Sequence, residues 1–130
     1  MPIIFRYKHL RGQPAPLVPI GIKIAGRWCP LEVYVDSGAA YTVLHAGIAE
    51  GIGFDYRSGR LAYLQVGDGS LIPVYLHDLE LQLGAERLTA PVGFSDKLGI
   101  GFNLLGRAGI FERFEICFRE KQGIISFEPT

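Results

Sequence analysis

The run LEVYVDSGAAYTVL, residues 31–44, decides how this 130-residue chain reads. Ahead of the aspartate, Leu31, Val33 and Val35 alternate with Glu32 and Tyr34, the two-residue period of a strand. Thr42, Val43 and Leu44 resume an apolar run directly after it. Asp, Ser and Gly are ordinary turn residues, so the bare tripeptide most often marks a surface turn. The frame points elsewhere, because a turn with buried chain on both sides must satisfy its polar groups internally. Such a turn holds a carboxylate rigid, partly desolvated and still reachable. Asp36 is therefore the candidate catalytic residue. Ser37 supplies a hydroxyl for a local or cross-chain bond, Gly38 lets another backbone approach closely, and Ala39 keeps the cleft floor low.

Working outward, Ile20, Ile22 and Ile24 alternate with Gly21 and Lys23, and a turn at Gly26 and Arg27 joins this strand to the one entering Asp36. Ile3 to His9 reads as a short strand. His45 to Ile52 has helical character, cut short by Gly51 and Gly53. Two apolar runs, 61–66 and 71–76, flank Gly67, Asp68, Gly69 and Ser70, a hairpin-tip pattern. The second arm continues through Leu79, Leu81 and Leu83, and Gly84 and Ala85 turn the chain into a strand from Arg87 to Phe94. Residues 95–103 read as loop, 108–113 as a second short helix, and 115–118 with 124–127 as a last hairpin. About eight or nine strands and two short helices, with no linker between them, make a single all-β domain over residues 1–130.

Thirteen basic and thirteen acidic residues cancel. A balanced charge without basic clusters argues against nucleic-acid binding, and no like-charge run suggests a membrane patch. The opening MPIIFRYKHLRG has no apolar core with a small-residue cleavage site, so no leader is expected. Cys29 and Cys117 make neither a metal-type nor a redox-type pair and are expected to be buried free thiols of a reducing cytoplasm. His9, His45 and His77 share no metal-ligand spacing, and no cofactor motif is present.

With DSGAAYTVL at 36–44, VGDGSLIPV at 66–74 and NLLGR at 103–107, the chain resembles the retropepsin-like aspartic proteases, single-domain relatives of the retroviral protease, and the bacterial-type members in particular. The resemblance covers residues 17–128 in the family's order and approximate spacing. It implies an acid-protease β-barrel with one or two short helices. It implies that Asp36 is the catalytic aspartate, that the Ser37 hydroxyl bonds across a two-fold axis, and that Gly38 meets the substrate backbone. It further implies that Val66, Gly67, Asp68, Gly69 and Ser70 form a flap over bound peptide. Leu104, Leu105 and Gly106 would support the active-site turn from behind, with Arg107 the structural arginine at their end. Retroviral members often carry an acid two positions beyond the motif glycine; Ala40 stands there in this chain, which leaves the partner of Arg107 open.

The chemistry requires two carboxylates about 3 Å apart sharing a proton. One Asp-Ser-Gly per chain therefore implies a homodimer acting on peptide substrates, without metal or cofactor. In this family the chain ends interleave between subunits, and Pro2–Phe5 and Gly123–Phe127 are the matching segments. The other reading is a dimerising or peptide-binding module on the same fold without turnover.

Overall fold

The computed structural model describes all 130 residues. Twelve strands follow in order: β1 (Ile3–Arg6), β2 (Lys8–Leu10), β3 (Gln13–Ala15), β4 (Leu17–Ile24), β5 (Arg27–Val35), β6 (Thr42–His45), β7 (Arg60–Gln65), β8 (Leu71–Leu83), β9 (Glu86–Ser95), β10 (Asn103–Leu105), β11 (Phe114–Arg119) and β12 (Ile124–Pro129). One helix, α1 (Ala46–Gly51), and a 3-10 turn at Tyr56–Ser58 complete the chain.

Strands β4, β5, β10, β6, β9 and β8 lie side by side, and β8 returns to β4 through Gly21 opposite Gln82 and Ile22 opposite Leu81, closing a barrel. Period-two patterning produces it: along β4, the side chains of Ile20, Ile22 and Ile24 all turn inward. β4 and β5 are joined at Ala25 and Gly26, with φ of 51° and 77°, one residue earlier than the sequence suggested. Both torsions are left-handed, the pair a tight hairpin turn needs, and only the glycine adopts its torsion without steric cost.

Alternate side chains of the central strands serve two cores. Val33, Val35, Leu44, Leu105 and Phe94 fill the barrel. Val43, Leu104, Ile72, Val74 and Leu76 face the other way, into a smaller apolar layer with Ala39, Leu64 and Leu98. Long β8 divides its pairing: residues 71–76 pair with β7 as a projecting hairpin, while its far end closes the barrel.

A separate sheet, ordered β1–β12–β11, packs Phe127 and Ile125 onto the barrel core. Ile3 to Arg6 pair with Phe127 to Ile124 of the same chain, and β11 fills the other edge of β12. The two terminal segments thus pair with each other within one chain.

The structure corrects several readings. The helix expected over 108–113 is a pair of successive turns, with Phe111 bonded to Arg107 and Phe114 to Ile110. Gly109, at φ 76°, is left-handed and cannot sit inside a right-handed helix. The strand expected from Ile3 to His9 breaks at Tyr7, and β2 forms a small hairpin with β3 around Arg11 and Gly12. The cysteines are free, but Cys29 is half-buried and Cys117 exposed. Trp28 is 38% exposed beneath the Arg87 guanidinium, 5.0 Å from its ring centre.

Candidate active site

Asp36 leaves the end of β5, and its turn spans the gap between β5 and β6 that β10 occupies. β10 runs parallel to β5 and antiparallel to β6, so it is the ground beneath the turn. The Asp36 amide donates to the Leu105 carbonyl at 3.0 Å, the Arg107 amide to Ala39 at 2.9 Å, and the Ala108 amide to Ala40 at 2.9 Å. Leu105 and Arg107 of the expected supporting element are thus bonded to the aspartate turn, while Leu104 pairs with Tyr34 and Val43.

Two side chains lock this ladder. Thr42, fully buried, accepts the Gly106 amide on its hydroxyl at 3.1 Å. Arg107 donates from its guanidinium to the Ser37 carbonyl at 2.8 Å. That bond answers the question Ala40 raised: without a carboxylate there, the arginine braces the turn through its backbone. Gly106 is required by space. A Cβ on it would fall 2.2 Å from the Tyr41 carbonyl oxygen and 2.9 Å from that of Ala39.

The Asp36 carboxylate is oriented by its own turn, accepting the Gly38 amide on Oδ1 at 2.8 Å. Asp36 is half-buried, Ser37 and Gly38 are exposed, and Ala39 is buried in the smaller core. The Ser37 hydroxyl has no partner within the chain.

Above the turn lies a cleft of about 680 Å³. Asp36, Gly38 and Ala39 form its floor, and Leu64 to Gly67 on the β7–β8 hairpin form one side. The hairpin tip is internally fastened: Gly69 donates to Val66 at 2.8 Å, and Val66 to Ser70 at 2.9 Å. Asp68 accepts both the hydroxyl of Ser70, at 2.6 Å, and its amide, at 2.9 Å. These bonds hold the fully exposed Asp68 carboxyl below the usual aspartate range. It is a turn former. Val66 and Gly67 reach the cleft, whereas Asp68, Gly69 and Ser70 stand at the exposed tip outside its lining.

The opposite wall was read only as loop. Leu98, Ile100 and Phe102 line it, with Phe102 stacked on Tyr34 at 4.9 Å between ring centres. His45 fastens this wall, its Nε2 3.2 Å from the Phe102 carbonyl, and its amide donates to the Asn103 side chain at 3.0 Å. The signal was available: three apolar residues at period two inside a glycine-rich stretch. No group of three or more His, Cys, Asp or Glu side chains comes together to hold a metal ion.

No protein-family model and no curated protein matches the chain. Among solved structures, it is similar to a retropepsin-like aspartic protease from Rickettsia conorii, with a TM-score of 0.68, 16% identity, and coverage of 98% of this chain and 89% of that one. It is also similar to the EIAV protease complexed with the inhibitor HBY-793, with a TM-score of 0.51, 22% identity, and coverage of 77% and 88%. At these identities the likeness establishes the fold, which is that of the retropepsin-like aspartic proteases.

Proposed function

We propose that the chain is a homodimeric aspartic endopeptidase whose active site is completed by Asp36 of a second copy. One observation carries the reading: Asp36 is the sole charged side chain lining an otherwise uncharged, mostly apolar cleft, on a turn braced from below by β10. An isolated surface turn needs no buried threonine, no arginine brace and no glycine without room for a methyl group.

In the proposed dimer the two carboxylates face each other across the two-fold axis and share one proton, because like charges so close cannot both ionise. The ionised partner takes a proton from a water, and the protonated one donates to the scissile carbonyl. The Ser37 hydroxyl, free within the chain, is placed to bond across the axis, and the Gly38 carbonyl to meet substrate. The β7–β8 hairpin acts as the flap, and peptide lies extended beneath it with alternate side chains in the apolar walls. Hydrophobic residues on either side of the cut bond suit Leu64, Leu98 and Phe102. The two free thiols fit a reducing, cytoplasmic setting; no helix is long and apolar enough to cross a membrane.

The test is cleavage of a denatured protein pool across roughly pH 4 to 7, the range where a carboxylate pair sharing a proton works. Cleavage by the native chain that disappears in Asp36→Asn, with dimerisation unchanged, is the expected result. A stable dimer that cuts nothing in either form would leave a peptide-binding module instead.

A further inference from the structure

One wall of the cleft is tied to the barrel by a single side chain. β9 stops at Ser95 and β10 starts at Asn103, so the residues between them belong to no strand. Lys97 leans on the Ser95 hydroxyl, and Asp96 pairs with Arg57. From Leu98 to Phe102 the chain makes one hydrogen bond, between the Phe102 carbonyl and Nε2 of His45 at 3.2 Å. A carbonyl only accepts, so this nitrogen carries the proton. The geometry points to His45 as a positioning residue that presets the wall for apolar substrate side chains, a role that rests on the peptide-cleft reading above. His45 itself does not line the cleft and acts through Phe102.

His45 stands where a helix cap belongs. It is the residue before α1, a position at which Ser, Thr, Asp or Asn accepts an amide of the first turn. Its side chain makes no such bond and reaches across to the wall instead. The start of β10 is held separately. The His45 backbone amide donates to Asn103 Oδ1 at 3.0 Å, and Asn103 Nδ2 donates to the Glu32 carbonyl at 3.4 Å. Neither bond involves the imidazole, so its contribution is confined to Phe102.

The wall has reason to need the tie. Gly99 and Gly101 flank Ile100, and glycine leaves the backbone its greatest freedom. The Phe102 ring is stacked on Tyr34 with 24° between their planes, while its carbonyl is held by His45. Two partners thus fix the ring and the backbone of one residue. Untied, the wall would be ordered only as a substrate side chain filled it, and that ordering would subtract from affinity. Tied, it offers Leu98 and Phe102 already in place.

The experiment is calorimetric titration of the full chain with two peptides whose cut bond is a reduced, uncleavable amide, one carrying Phe beside it and one Ala. Melting temperatures are read on the same samples. His45→Ala should raise the Kd of the Phe peptide roughly tenfold, the effect of about one hydrogen bond, and barely move that of the Ala peptide. Gln places a donor nitrogen the same number of bonds from the backbone, so His45→Gln should restore most of the difference. His45→Ser gives α1 the cap it lacks; its melting temperature should rise while it binds the Phe peptide as weakly as the alanine variant does. Affinity indifferent to His45→Ala, or affinity that merely follows melting temperature through the series, would overturn the inference and leave the peptidase reading standing. A native chain that binds neither peptide would sink both. If the Kd values respond as described but the ordinary Phe peptide is never cut, the role of His45 stands and the peptidase reading falls.

Discussion

Gly106 has the least room of any glycine near the site, because a methyl group there meets the Tyr41 carbonyl oxygen at 2.2 Å. Backbone cannot yield as a flexible side chain can, so Gly106→Ala should lower stability by roughly 3 kcal/mol, read from denaturant midpoints at unchanged slope. Thr42 poses a different problem. Its hydroxyl satisfies a buried amide, and Thr42→Val keeps the shape while orphaning that donor. The expected loss is about 1–3 kcal/mol, with Thr42→Ser recovering most of it. A loss in the serine variant with none in the valine variant would show that the methyl group matters and the bond does not. Residue identity was the most legible level of all. Asp36 and Gly38 could be singled out from their neighbours in the chain, and Gly106 and Arg107 from the family resemblance of NLLGR, yet the Arg107 bond to Ser37 could not, since its acceptor is a carbonyl that every residue carries.

Among the elements, the β7–β8 hairpin was readable because its tip residues have one structural use. Gly69 sits at φ 86°, and Asp68 spends its carboxylate on Ser70. The sign of the pH effect follows from the depressed carboxyl of Asp68. The ordering it gives the tip is present above the ordinary aspartate pKa of about 3.9 and is lost only as pH falls through the lower folded value. Carbon-detected NMR titration of the Asp68 carboxyl should find its midpoint below that of a model aspartate, and Ser70→Ala should move it back up. A midpoint unaffected by Ser70→Ala would remove the hydroxyl as cause. Residues 108–113 illustrate the opposite case. Ala-Gly-Ile-Phe-Glu-Arg has enough helix formers to suggest a helix, but Gly109 lies so close to β9 that a Cβ would fall 2.7 Å from that of Ala90. Tertiary packing sets the left-handed torsion there, and local propensity has no access to it.

For the whole molecule, two phenols contribute to the loss of stability at alkaline pH. Burial raises the Tyr56 phenol above its usual range. Tyr7 is raised by burial and by Glu120, whose carboxylate accepts its hydroxyl at 2.6 Å. Both folded values exceed the unfolded one. The stability they contribute is therefore complete below the unfolded pKa of about 10 and declines as pH rises through it toward the folded values. The melting temperature should fall over roughly pH 9 to 11, and Tyr7→Phe should flatten part of that fall. A Tyr7→Phe profile parallel to the native one would exclude the Glu120 contact as a contributor.

The sequence by itself determined the strand periodicity, the turn chemistry at the hairpin tip and the single Asp-Ser-Gly run, because each depends on residues within a few positions of one another. Only the tertiary structure decided that β10 slides between β5 and β6, a placement joining residues some seventy positions apart. It alone made a cleft wall of Leu98, Ile100 and Phe102, whose glycine-rich setting reads locally as loop. It also set β1 beside β12, from opposite ends of the chain. Strand pairing is a contest between distant edges, and the winner depends on which edges the closed barrel leaves free.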